Sequence, residues 1–289
     1  MNLWQISISR RSLTIAAALV VTVSLGIGAH AALNKRALDA AKAIASEQGE
    51  AAAAKGSKIA LVIGNGHYPD AGAPLTQPIN DARAITAALR REGFQVDVLE
   101  DASHDDITSA MDRLQARIDP ASVVMLFFGG YGIQAGGESY MIPVDAAIWK
   151  ESDVRRHGIS IESVLETIKE KGARARIAVI DASRRNPYER RFRGFSRGLA
   201  PISAPDNALI LSSATPGKVA EDSSGQNSVL VTELLNNINS KAAGAEALFT
   251  KTRIAVSQAS GGEQVPSVSS SLKEDVNFAA DMAAEKSGG

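Results

Sequence analysis

The chain has no cysteine among its 289 residues. That excludes disulfides, thiolate metal ligands and any cysteine nucleophile. It leaves the compartment open, because exported proteins need not carry disulfides. Excess charge is also missing: 31 Lys and Arg against 32 Asp and Glu give a net charge of -1. No global field therefore draws the protein to nucleic acid, and no nucleic-acid partner is expected. Only four histidines are present, so candidates for a neutral-pH base are few. What remains is an ordinary globular composition, 45% hydrophobic, long enough for one medium domain with appendages.

One long uncharged apolar run occurs, from Ser12 to Ala29, directly after Arg10-Arg11 and just before Ala29-His30-Ala31. This is a basic segment, an apolar segment and a small-x-small cleavage pattern. Ser9-Arg10-Arg11-Ser12-Leu13 resembles a twin-arginine export signal. At about 18–20 residues the run is also just long enough to span a bilayer. Residues 1–33 therefore read as a signal peptide or an inner-membrane anchor. The expected location is periplasmic, or anchored and facing the periplasm of a bacterium. An Ala-rich spacer follows over 34–57, then a domain over 58–280 and a tail over 281–289.

Within the domain, strand and helix patterns alternate. Ile59 to Ile63 is a continuous apolar run, expected of a strand buried on both faces. A helix is expected over Pro78–Arg91, stopped by Gly93, and a strand through Phe94, Val96 and Val98. Ser103 with Asp106 forms a capping box for a helix carrying Ile107, Met111, Leu114 and Ile118. Val123–Phe128, Ile177–Ile180 and Ala208–Leu211 read as buried strands, with a short strand at Tyr140–Ile142. Ser160, Val229–Ile238 and Ala245–Gln258 mark further helices. Such alternation predicts an α/β fold, a mostly parallel sheet with helices on both faces. Ligands in these folds bind beyond the carboxyl ends of the strands. Tyr131 and Ser183 each lie just past such an end, which makes them site candidates.

The five glycines between Gly129 and Gly137 mark a tight turn rather than a phosphate cradle, since no lysine follows and no Gly-x-Gly-x-x-Gly opens a helix. No Asp/Asn/Gly calcium loop is visible, and neither metal nor cofactor is expected.

Several segments together resemble the bacterial caspase-like (metacaspase-like, orthocaspase) peptidases. They are Ala60–Asn65, Pro78–Ala82, Phe127–Gly132, Tyr140–Asp145, Ile180–Arg184 with Asn186-Pro187, Arg197–Pro201, Ser213–Gly217 and Gln264–Pro266, in the family's order. The resemblance implies a six-stranded caspase-type sheet. It puts Tyr131 at the position of the family's catalytic His and Ser183 at that of its Cys. It further implies that Asp81, Asp181 and Gly129 line a pocket for a basic side chain, and that backbone N–H groups at Gly132 and Ser183 form an oxyanion hole. Without the resemblance, Asp81 reads as a carboxylate favoured at the start of its own helix. Arg185 stands where the family often has an acidic residue.

Chemistry argues against family-type catalysis here. A serine hydroxyl needs a strong neighbouring base, and at pH 7 only about one phenol in a thousand is ionised. Of the domain histidines, His67, His104 and His157, only His67 lies at a sheet carboxyl end. The expected function is an exported pseudopeptidase that binds an unknown protein partner or basic peptide without cleaving it, its Tyr131 and Ser183 hydroxyls hydrogen-bonded to each other. One alternative is an active endopeptidase that cleaves after Arg or Lys using Ser183. The other uses the arginine-rich segment 184–197, with Arg190, Arg191 and Arg193, to bind an anionic or envelope partner.

Overall fold

The computed structural model describes residues 56–69, 74–188, 198–220, 224–238 and 244–278. The expected export signal or anchor, most of the expected spacer, the tail over 281–289, and Arg190, Arg191 and Arg193 lie outside them. Among the described residues no helix is long and apolar enough to cross a membrane.

A six-stranded sheet organises the chain. Strands β1 (Lys58–Gly64), β2 (Gln95–Glu100), β3 (Val123–Gly129), β7 (Ala175–Asp181), β8 (Ala208–Ser212) and β9 (Ser267–Ser270) lie in the order β2-β1-β3-β7-β8-β9. All neighbours are parallel except β8 and β9. The alternation along each central strand explains the two cores. Ala60, Val62, Met125 and Phe127 face α1 (Gln77–Arg91), α5 (Val229–Ile238) and α6 (Ala245–Ala259). Ile59, Leu61, Leu126 and Phe128 face α2 (His104–Gln115) and α4 (Ile161–Glu170). At roughly 1.5–3 kcal/mol for each large apolar side chain fully buried, these two layers are the main source of stability. β2 is a half-exposed edge, which is why its sequence alternates where β1 and β3 do not.

The Ser103–Asp106 capping box forms as expected. The helix it starts stops at Gln115, short of Ile118, which packs on the core from the following turn. The last turn tightens there, with Arg117 N–H and Ile118 N–H bonding back three residues to Leu114 O and Gln115 O, and Asp119-Pro120 bars any continuation. Four elements were not expected from the sequence: β4 (Gly132–Ala135), α3 (Glu151–His157), the two-residue strand Ile159–Ser160 and β9. With β5 (Glu138–Met141) and β6 (Ile159–Ser160), β4 makes a small antiparallel sheet, β4-β5-β6, beyond the end of β3. A third cluster, including Tyr131, Ile133, Tyr140, Ile142, Ile148 and Val154, gathers around it.

The register sets the later geometry. Gly64 pairs with Gly129, and Gly129 with Asp181, so the three carboxyl ends lie side by side. The connections change direction between β1 and β3, the point at which open sheets of this kind place their ligand sites. The start of α1 lies over it: a Cβ on Gly64 would collide with the Pro78 carbonyl and come within 2.7 Å of Ala82 Cβ. Gly64→Ala is therefore expected to cost about 1–3 kcal/mol by overpacking, measured as a lower denaturation midpoint. An unchanged midpoint would mean that α1 does not need this close approach.

Candidate functional site

Three turns converge at the carboxyl ends of β1, β3 and β7. After β3 the chain is tied to the β7 turn by Gly130 N–H to Asp181 O at 3.3 Å and Gly132 N–H to Ala182 O at 2.9 Å. These bonds put Tyr131 against the Asp181–Ser183 segment, so the structure brings Tyr131 and Ser183 into one site. Gly132 is required there: a Cβ would sit 2.7 Å from Leu199 Cδ2 and 2.8 Å from Ala182 O. Asn65, fully buried after β1, fixes the third turn by donating to Ala102 O and Ile142 O and accepting from Ala102 N–H.

The side chains do not form a nucleophile–base pair. Tyr131 and Ser183 are not hydrogen-bonded to each other, contrary to expectation; the Tyr131 ring instead packs edge-on against Tyr68, with centroids 4.8 Å apart at 64°. Such a pair is worth about 0.5–1.5 kcal/mol beyond its buried area. Burial raises the Tyr131 phenol above its ordinary range, and the nearby Arg184 guanidinium only partly opposes this. The phenolate is thus rarer than in water. Ser183 is 1% exposed and Tyr131 8%. His67 is no substitute base: its Nδ1 is 2.6 Å from Asp101 Oδ2, on the β2 side of the sheet, and its side chain is 67% exposed. His104 is likewise at the surface, 3.7 Å from Asp105.

Both N–H groups expected in the oxyanion hole are already donating. Gly132 gives its proton to Ala182 O at 2.9 Å, and Ser183 N–H donates to Ser213 Oγ at 3.3 Å. The second bond is long and therefore weak. Gly129 lies at the sheet end with its carbonyl accepting from Asn65 N–H at 2.9 Å.

Asp81 and Asp181 are both essentially inaccessible, and near enough for the charge of Asp181 to act on Asp81. Asp81 is beyond the first turn of α1, so its own helix does not account for it. It faces the start of α5: Asp81 Oδ1 accepts from Ser228 N–H at 3.0 Å and from Asn227 Nδ2 at 2.8 Å. Oδ2 of Asp81 and Oδ2 of Asp181 have no hydrogen-bond partner. Burial, and then the charge of Asp181, push Asp81 up to about 7, while Asn227 and Ser228 pull it down. Bare buried carboxylate oxygens are costly unless a donor arrives. Among the described residues no cluster of three or more His, Asp or Glu is placed to hold a metal ion.

Sequence reasoning missed Tyr68, whose hydroxyl donates to Ile142 O at 2.9 Å and accepts from Tyr131 N–H at 3.1 Å. It also missed Gln77, Asn227 and Ser228. A usable signal existed for the first: Gln77, Asn80 and Asp81 recur at helical spacing on one face.

Residues 57–277 match the family described as Caspase domain. The chain is 29% identical over 133 residues to the human "Mucosa-associated lymphoid tissue lymphoma translocation protein 1" and, equally, to its mouse homologue. The match covers 46% of this chain and 16% of the length of those proteins. In fold, the chain is similar to caspase-1 from Spodoptera frugiperda, with a TM-score of 0.57 at 14% identity, covering 80% of this chain and 92% of that one.

Two predictions follow from the geometry. Asp81 is held above its ordinary value near 3.8 in the folded state. The folded protein therefore binds more protons than the unfolded chain between about pH 4 and 7, and stability falls as pH rises through that window, by at most about 1.4 kcal/mol per pH unit. Asp181→Asn should flatten this slope and raise the midpoint at pH 7 in urea titrations run from pH 4 to 8; a steeper slope or a lower midpoint would contradict the pairing. Tyr68→Phe leaves the buried Tyr131 N–H unpaired and should cost about 1–3 kcal/mol. A loss well below 1 kcal/mol would mean that the bridge does not hold the turn.

Proposed function

The chain belongs to the caspase-domain family, and from that premise we propose that it is a pseudopeptidase: it captures a basic side chain of a partner protein or peptide and does not cut it. The carrying observation is the buried Asp81–Asp181 pair, with one bare oxygen on each carboxylate. A guanidinium or ammonium supplies the missing donors and the missing positive charge together. The same site has no nucleophile–base unit. Ser183 lacks a base among the described residues, Tyr131 is buried in its protonated form, and the two N–H groups suited to an oxyanion are engaged within the protein. Members of such a unit act together, and little rate survives loss of both.

These observations weigh against an active serine endopeptidase, which needs a base within hydrogen-bond reach of Ser183. The Arg10-Arg11 segment and the apolar run after it support export, with the domain acting in the periplasm or tethered at the inner membrane. The test pairs catalysis with binding. Incubated with Arg- and Lys-containing peptides, the wild-type chain should show no turnover above Ser183→Ala. Calorimetry should show binding of the Arg peptide, weakened at least tenfold in Asp81→Asn. Turnover abolished by Ser183→Ala would establish a serine peptidase and sink the proposal. So would binding indifferent to Asp81.

A further inference from the structure

A second surface lies at the same end of the sheet, outside the turns that hold Tyr131 and Ser183. Trp149 is 65% exposed, more than any other large apolar side chain among the described residues. Tryptophan is highly buried on average, so a ring standing this far into solvent is informative. Its backbone is well held. Ile148 before it and Val154 beyond it are fully buried, in the cluster that also contains Tyr131 and Tyr68. Between them the buried Asp153 accepts from Trp149 N–H and from Lys150 N–H through Oδ2, each at 3.2 Å. The ring is thus presented from a fixed backbone, which lowers the entropy lost when a partner binds it.

The charges beside the ring give the sign of that partner. Lys150 and the exposed Arg155 and Arg156 of α3 follow it directly. The neighbouring carboxylates are engaged. Glu151 accepts from Gly136 N–H at 3.1 Å and lies 3.9 Å from Arg155, and Glu138 accepts from the Tyr140 hydroxyl at 2.9 Å. Asp145 accepts from His104 N–H at 2.9 Å, and Asp153 is occupied as described. Lys150 and Arg156, by contrast, make no ion pair among the described residues. An exposed indole with two uncommitted cations is complementary to an anionic segment that also carries an apolar side chain. Protein suits this face better than lipid: the face belongs to the carboxyl end of the sheet, whereas the described chain enters at the amino end of β1, the far side of the domain.

We propose that Trp149, Lys150 and Arg156 form a docking surface for an acidic segment of a partner protein, with an apolar side chain among its Asp and Glu residues. The indole takes the apolar side chain, and the ammonium and guanidinium take carboxylates. Arg155 adds charge while shared with Glu151. The surface is separate from the Asp81–Asp181 pair and does not depend on what that pair binds.

The experiment uses the full chain carrying Trp4→Phe, which leaves Trp149 as its sole tryptophan. The probe is an acetylated, amidated peptide of glutamates with a central leucine, and its control has lysine for every glutamate. The acidic peptide should shift Trp149 emission to shorter wavelength and the control should not, and added salt should weaken the binding several-fold. By calorimetry, Trp149→Ala should lose about fivefold or more in affinity, and Lys150→Glu with Arg156→Glu about tenfold or more. All three side chains are exposed, so the variants should keep the wild-type melting midpoint. A further arm adds vesicles of phosphatidylglycerol. An emission shift with vesicles and none with the acidic peptide assigns the face to lipid and overturns the proposal. So does absence of acidic-peptide binding up to about 1 mM, equal binding of the two peptides, or affinity indifferent to Trp149→Ala.

Discussion

Burial of two acidic side chains at one end of the sheet is the constraint around which this site is built. Asp81 and Asp181 arrive from a helix and a strand far apart in sequence, and each retains an oxygen without a donor. Isolated buried charge of this kind costs several kcal/mol. The fold tolerates it because the two apolar layers on the sheet are extensive, and because Asn227, Ser228 and the start of α5 face Asp81.

The sheet sets this arrangement. Gly64, Gly129 and Asp181 share a level across β1, β3 and β7, and the missing side chain at Gly64 lets the start of α1, which carries Asp81, approach the sheet. The turns beyond the strands are then stitched to one another through backbone bonds rather than side chains. The geometry of these turns therefore depends little on which side chains they carry. Tyr131 fills its position as an apolar brace against Tyr68, and the polar function of the turn passes to the Tyr68 hydroxyl.

Much of the fold was legible in the sequence. The runs Ile59–Ile63 and Val123–Phe128 announced strands buried on both faces, and Ser103 with Asp106 announced a helix start that the structure contains. The short elements were not legible. Ser267–Ser270 has little apolar content and becomes a strand because β8 offers it a partner edge. The hairpin β4–β5 is glycine-rich, and its register depends on the β3 and β7 turns that it packs against.

The sequence by itself determined the chemistry available: no thiol, no histidine in the turn after β3, an aspartate at each of positions 81 and 181, and a strand–helix alternation that admits few topologies. These are properties of residue type and spacing, and they survive any arrangement of the chain. Tertiary structure decided which of those groups meet. It paired Asp81 with Asp181, assigned Asp81 to the start of α5 rather than to its own helix, turned Tyr131 onto Tyr68 instead of Ser183, and engaged the N–H groups of Gly132 and Ser183. Such outcomes depend on contacts between residues up to 147 positions apart. No local pattern encodes them, because burial and proximity, which set the charge state of a carboxylate and the direction of a ring, exist only once the layers have packed.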